Sequence, residues 1–84
     1  MTLPPPSLLK VTDVRIEDDV TLLLTFATGE RRRFSVAPYL GRGVFRELAD
    51  PAYFRRVRLA FGTVEWPNEQ DFDPATLYAE GQPA

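Results

Sequence analysis

Residues 20–36 read VTLLLTFATGERRRFSV, and the way this stretch doubles back decides the fold. From Val20 to Phe26 it is dense in Val, Leu, Thr and Phe with a period near two, the signature of a strand. Two registers are open at the turn Phe26-Ala27-Thr28-Gly29-Glu30. A two-residue loop at Thr28-Gly29 sets Leu24 opposite Arg33 and Leu22 opposite Ser35, which drives charge onto the apolar face. A three-residue loop of Ala27, Thr28 and Gly29 sets Leu22 opposite Phe34 and Val20 opposite Val36. Gly29 then takes the left-handed position of a type I turn with a glycine bulge. The second register is expected, because it keeps the apolar residues together.

Toward the N-terminus, Leu8 to Ile16 carries a second strand pattern, with Glu17-Asp18-Asp19 as the loop back to Val20. That loop sets Ile16 opposite Val20 and Val14 opposite Leu22. Leu9 and Val11 lie on the opposite parity, so a bulge is expected near Thr12-Asp13. Pro4-Pro5-Pro6 favours extended polyproline backbone, and residues 1–7 read as a lead-in to a single domain over 8–80, with 81–84 a frayed tail.

Beyond Val36 the strand pattern stops at Ala37-Pro38. Leu40, Val44 and Leu48 recur at helical spacing beside Phe45, which predicts a short helix beginning at Arg42 or Gly43. Asp50-Pro51 starts a second, with aspartate as cap and proline at the first helical position, burying Tyr53, Phe54 and Val57. Val57, Leu59 and Phe61 then alternate with Arg56, Arg58 and Ala60. A Gly62-Thr63 turn of type II′ is expected, with Phe61 opposite Val64 and Leu59 opposite Trp66. Asp73-Pro74 repeats the capping pattern and opens a closing helix through Leu77 and Tyr78. The expected class is α+β: a three-stranded antiparallel meander, two short helices, a β-hairpin and a short C-terminal helix.

The 84 residues carry a net charge of -2, but the charge is unevenly spread. Residues 31–58 hold eight arginines against Glu47 and Asp50, a net of +6, while residues 1–30 sum to -3 and residues 59–84 to -5. Acidic flanks folded back onto a basic middle are the simplest expectation. A chain this short buries only about 60% of its unfolded surface, so a single small core is all it can form.

There is no histidine and no cysteine, which removes the commonest general base, the commonest transition-metal ligand and all thiolate chemistry. Ser7 and Ser35 are the only serines and have no base to activate them. Neither Asp18 with Asp19 nor Glu65, Glu69, Asp71 and Asp73 has the spacing of an EF-hand loop. No enzyme activity, metal or cofactor is therefore expected. The start of the chain shows no basic, apolar leader and no membrane span, which points to a cytoplasmic protein.

What remains is recognition. Arg31-Arg32-Arg33 offers contacts for phosphate or an acidic surface, although alternation on a strand also sends Arg31 and Arg33 to solvent and lays Arg32 along the core rim. Tyr39, Tyr53 and Tyr78 combine an apolar body with a hydroxyl, as interfaces favour. Trp66-Pro67-Asn68 followed by Asp71, Pro74, Leu77 and Tyr78 is the most specific string, and reads as a buried tryptophan ending a strand at a rigid turn.

Phe26, Gly29, Phe34, Pro38-Tyr39-Leu40, Gly43, Phe45, Leu48, Pro51, Phe54, Val57, Trp66-Pro67-Asn68, Asp71, Pro74 and Leu77-Tyr78 together resemble domain of unknown function family 2442, over roughly residues 8–78. The resemblance implies a compact bacterial or phage α+β domain. Family members are sometimes fused to a helix-turn-helix segment and are associated with a second small protein in toxin–antitoxin-like pairs. The family often has glycine after Trp-Pro-Asn; here Glu69 stands there, which implies a differently shaped turn.

The leading expectation is a non-enzymatic protein-interaction module, the antitoxin-like half of a two-protein pair, with Arg31, Arg33, Tyr39, Trp66, Asn68 and Tyr78 as its contact residues. A homodimer is expected as well, through an exposed strand edge or an aromatic patch. The alternative is a nucleic-acid-binding regulatory domain using the arginine-rich middle. A third reading places a small-ligand pocket near Trp66.

Overall fold

The computed structural model describes residues 3–84; Met1 and Thr2, the start of the expected lead-in, lie outside the described residues. Three strands form an antiparallel meander: β1 (Val11–Asp18), β2 (Thr21–Phe26) and β3 (Arg31–Ser35). Two 3₁₀ segments, Ala37–Tyr39 and Gly43–Ala49, lead into helix α1 (Pro51–Phe54). A hairpin of β4 (Arg58–Ala60) and β5 (Thr63–Glu65) follows, then helix α2 (Pro74–Glu80) and a two-residue strand β6 (Gln82–Pro83). The class is α+β as the sequence indicates. The sheet order is β1-β2-β3-β6, with β4-β5 a separate two-stranded sheet.

The β2–β3 register is the one that keeps charge off the core. Leu22 pairs with Phe34, Gly29 has φ of 88°, and the Val36 amide donates to the Val20 carbonyl at 2.8 Å. A register shift between Val11 and Asp13 is the bulge that brings Val11 onto the buried side.

The β1–β2 turn is tighter than expected. β1 runs on to Asp18, so Ile16 faces Leu22 and Val14 faces Leu24, rather than Val20 and Leu22. Asp18 Oδ1 accepts the Val20 amide at 3.0 Å, closing an Asx-type turn, and a second bulge between Ile16 and Asp18 preserves parity. The same bond holds the Asp18 carboxyl below its ordinary pKa, with the Thr21 hydroxyl adding to it.

The helix expected around Val44 is 3₁₀, with three residues per turn. Phe45 and Leu48, three apart, therefore share the inner face, while Val44 is 67% exposed. Asp50 caps α1 as predicted, accepting the Ala52 amide at 3.1 Å. Asp73 occupies the same position before α2 but its carboxylate bonds no helix amide; the helix opens through Leu77 N to Asp73 O at 3.1 Å.

The second hairpin keeps a two-residue turn but moves it one residue toward the N-terminus. Leu59 pairs with Val64 and Ala60 with Thr63, leaving Phe61 and Gly62 as the two turn residues. Both are left-handed, at φ 53° and 77°, which makes the turn type I′ rather than II′. Two bonds fix this placement: the Gly62 carbonyl accepts the Val11 amide at 2.9 Å, and the Thr63 hydroxyl donates to the Phe72 carbonyl. Phe61, expected to face the core opposite Val64, is 98% exposed.

The core lies under the inner face of the sheet. Leu22, Leu24, Phe26, Phe34 and Val36 pack against Leu48, Phe54, Val64, Trp66 and Leu77, all but sealed from solvent. Phe72 is its aromatic hub, with ring centroids 4.9 Å from Phe34, 5.0 Å from Tyr39 and 4.9 Å from Phe45. A radius of gyration of 12.0 Å equals the roughly 12 Å expected of an 84-residue fold, so the hairpin is folded onto the body.

The end of the chain is fastened, not frayed. Gln82 and Pro83 pair with Arg33 and Arg32, and the Ala84 amide donates to the Arg31 carbonyl at 3.2 Å. The lead-in departs from a simple extended stretch too, because the Leu8 amide bonds the Pro5 carbonyl at 2.8 Å and turns the chain at Pro6 to Leu8. Gly81 passes so close to its neighbours that an added Cβ would stand 2.6 Å from the Leu77 carbonyl oxygen and 3.0 Å from Arg32 Cβ. Gly81→Ala is accordingly predicted to lower the unfolding free energy by about 2 kcal/mol, against less than about 0.5 kcal/mol for Arg31→Ala on the open face. Urea denaturation followed by tryptophan fluorescence measures both.

Candidate interaction surface

The six residues singled out from sequence do not assemble into one patch. Trp66 is fully buried; its Nε1 donates to the Phe54 carbonyl at 2.9 Å, and its ring lies near-parallel to Phe54 at 6.0 Å. Sealed from solvent, Trp66 offers no exposed wall to a small ligand, and its contacts are those of core packing. Tyr78 is 7% exposed, its ring edge-on to Phe26. Tyr39 is half-buried among Phe34, Phe45 and Phe72, with its hydroxyl donating to Glu80, whose carboxylate raises the Tyr39 pKa.

Arg32 explains why Tyr78 sits where it does. Its side chain is 10% exposed and lies 4.0 Å over the Tyr78 ring; Nε meets Glu30 at 2.5 Å and Nη1 donates to the Tyr78 and Gly81 carbonyls at 3.1 Å. The Tyr78 hydroxyl donates to the other Glu30 oxygen at 2.8 Å. That bond first, and Arg32 second, hold the Glu30 carboxyl below its ordinary pKa. A carboxylate with a depressed folded-state pKa contributes stability that is present above its unfolded value and lost as pH falls through the folded one. Tyr78→Phe removes the largest cause. The stability gap between wild type and Tyr78→Phe is therefore expected to be widest near neutral pH and to narrow on acidification, read as urea midpoints across a pH series.

Asn68 is exposed, and its polar groups are taken up in holding its own loop. Its Nδ2 donates to both Glu47 oxygens at 2.9 and 2.8 Å, and its amide donates to the Tyr53 hydroxyl at 2.9 Å. Tyr53 in turn donates to Gln70, which donates to Glu47 and to the Val44 carbonyl. No buried side-chain nitrogen or oxygen among the described residues lacks a partner. Glu69 follows with φ of 69°, while its amide bonds Trp66 O and Trp66 N bonds Gln70 O, both at 2.9 Å. Glu69 thus adopts a left-handed backbone, the conformation glycine takes most readily. Glu69→Gly is predicted to raise stability by about 0.5–1 kcal/mol, the relieved left-handed strain exceeding the added flexibility of the unfolded chain. Thermal unfolding measures this directly.

Arg31 and Arg33 do reach solvent, on the sheet face turned away from the core. The rows there are Asp13, Thr25, Arg31 and Arg15, Leu23, Arg33. Arg33 Nε reaches both Glu17 oxygens, at 2.7 and 2.8 Å, and Arg15 meets Asp13 at 3.2 Å. Among the described residues, Arg32, Arg33, Arg55 and Arg58 each pair with a carboxylate outside residues 31–58: Glu30, Glu17, Asp19 and Glu65. The flanks therefore do fold back onto the basic middle. No three His, Cys, Asp or Glu side chains among these residues group as a metal-holding set, and no helix is long and apolar enough to cross a membrane.

The most unusual exposed feature is one that the sequence reading turned inward. Phe61 stands at the tip of the β4–β5 hairpin, beside a cavity of about 270 Å³ lined by Pro6, Ser7, Lys10, Phe61, Gly62 and Pro74. The tip is anchored on both sides. Val11 N bonds Gly62 O at 2.9 Å, Ala27 N bonds Lys10 O at 2.8 Å, and the Lys10 stem covers Gly62 closely enough that a Cβ there would lie 3.1 Å from Lys10 Cγ. The available signal was Gly62, since glycine suits the second central position of a type I′ turn; Phe61 hid it, because the first position ordinarily holds Asn, Asp or Gly.

No curated protein and no solved structure matches the chain. The family described as Protein of unknown function (DUF2442) matches residues 11–83. That span runs from the first residue of β1 to β6 and so includes every element of both sheets and both helices, and on it the chain belongs to this family.

Proposed function

We propose that the protein is a non-enzymatic protein-interaction module whose contact surface is the β4–β5 hairpin tip. The observation that carries this reading is Phe61, 98% exposed with a φ of 53°. A bulky side chain in the left-handed region is a backbone outlier costing roughly 1–2 kcal/mol, and such strain concentrates where a residue serves recognition. Burying an exposed phenyl ring against a partner returns about 1.5–3 kcal/mol, enough to make it an anchor. The antitoxin-like half of a two-protein pair is the form of module that fits the family resemblance and the small size.

Nucleic-acid binding through Arg31 and Arg33 ranks second. Arg33 is already held bidentately by Glu17, and Asp13 and Glu17 place negative charge on the same sheet face. Phosphate binding favours a surface free of such carboxylates.

Capture from the native host tests the leading reading. Immobilised wild type is expected to retain a protein partner that Phe61→Asn does not, since asparagine suits the left-handed turn and leaves the fold intact. Equal recovery by the two, or by neither, overturns it.

A further inference from the structure

We infer that the β3 edge is a docking site for an extended acidic segment of a partner protein, and that β6 is a strap which this segment displaces. The inference goes beyond the hairpin tip and gives a use to the motif that reading leaves idle, Arg31-Arg32-Arg33.

The backbone of β3 alternates between two edges. Phe26 N bonds Glu30 O at 2.9 Å and Val36 N bonds Val20 O at 2.8 Å, so Arg32 and Phe34 between them bond to β2. Arg31, Arg33 and Ser35 therefore turn their N–H and C=O groups to the far edge. There β6 supplies partners: Ala84 N bonds Arg31 O at 3.2 Å, and Gln82, two residues back, pairs with Arg33. Pro83 stands opposite Arg32, where the N–H it lacks would have pointed out of the sheet. A strand added outside β6 would find no donor there, so an incoming strand has to take the place of β6 itself.

The strap is lightly held. Gln82, Pro83 and Ala84 are all exposed, and a segment fastened by a few backbone bonds belongs to the low-stability end of a fold. Firm attachment ends at Gly81, whose carbonyl accepts from Arg32 Nη1 at 3.1 Å beside that of Tyr78. Residues 82–84 can therefore leave while α2 and the surroundings of Arg32 stay in place.

Charge decides what replaces them. Arg31 and Arg33 lie opposite Ala84 and Gln82, neither of which is charged. Among the described residues Arg31 meets no carboxylate, and Glu17 takes only Nε of Arg33, leaving both Nη groups. Asp13 stands on β1, two strands or about 10 Å from β3 and on the side away from β6. A strand with Asp or Glu at alternate positions sets a carboxylate beside each arginine, the cross-strand pairing of opposite charges. Phosphate meets the charge but not the row of backbone groups, and a second copy of β3 brings arginine against arginine.

Amide-resolved NMR titration of the full chain tests this with two blocked heptapeptides, one alternating glutamate with valine and one alternating lysine with valine. Wild type is expected to bind the glutamate peptide with a Kd on the order of 1 mM, and Gln82→Pro, which breaks the β6 ladder at Arg33, about tenfold more tightly. The shifts fall on Arg31 to Ser35 and, in wild type, on Gln82 and Ala84 as well. Arg31→Glu combined with Arg33→Glu is expected to lose the glutamate peptide and gain the lysine one. Phe61→Asn binds as wild type does, which separates this edge from the hairpin tip. Wild-type β3 amides unmoved at about 5 mM glutamate peptide, equal binding of the two peptides, or equal affinity in wild type and a folded Gln82→Pro overturns the inference. The wild-type shifts and the charge swap decide it without Gln82→Pro should that variant unfold.

Discussion

A guanidinium can enter the core of an 84-residue protein only where the chain surrounds it with acceptors, and the placement of Arg32 organises one whole side of this fold. Alternation along β3 turns Arg32 toward the core between Glu30 and Phe34, directly opposite Leu24. The cation is then met by the Glu30 carboxylate, by the Tyr78 and Gly81 carbonyls and by the Tyr78 ring. Those two carbonyls belong to the last turn of α2 and the residue that ends it. Satisfying Arg32 therefore sets where α2 stops, and brings Gln82 and Pro83 into register with β3. Gly81 is required there because the backbone must pass against the arginine stem.

On the opposite side the hairpin has too few residues to hold itself and borrows its stability from Trp66 and Phe72. Two three-residue strands are marginal alone. Trp66 stacks on Phe54 and stands edge-on to Phe72 at 6.0 Å, while Phe72 reaches Phe34 beneath the main sheet. The Trp-Pro-Asn turn with its Glu47, Tyr53 and Gln70 bonds fixes the approach of Phe72 to that cluster. The most specific string in the sequence thus serves architecture, and the residues it positions are mostly hidden from any partner.

Much of this was legible before any coordinates, wherever one buried face discriminated between registers. The Leu22–Phe34 pairing, the bulge after Val11, the Asp50 cap and the inward turn of Arg32 all follow from keeping apolar side chains on one side. The misreadings share a cause. In both hairpins the cross-strand partners moved by two residues, Ile16 from Val20 to Leu22 and Leu59 from Trp66 to Val64, which preserves parity and so leaves the hydrophobic pattern almost unchanged. The deciding contacts were long-range or polar: Asp18 on Val20 N, Gly62 O on Val11 N, Thr63 on Phe72 O. Nothing in local periodicity encodes the latter two. Val44 failed for a different reason, since a period of three and one of 3.6 diverge within a single turn. The pairing of β6 depended on Arg32, far back along the chain in β3.

Among the described residues, two that are not glycine adopt left-handed backbone, Glu69 and Phe61, and the contrast between them bears on what the surface is for. At Glu69 the side chain is charged and exposed, so the conformation costs strain alone, and the flanking bonds of Trp66 to Gln70 and Glu69 hold it. At Phe61 the backbone is equally well held, by Gly62 O on Val11 N, yet the side chain adds a second cost by standing in water. Asparagine or glycine would fill the turn without either cost. The folding of the monomer gives no reason for a phenyl ring at this position, since the ring touches none of the core that the rest of the hairpin was drawn in to complete. A reason exists once a surface covers it, and the hollow beside it, walled by Pro6, Pro74 and Lys10, shows the chemistry such a surface meets.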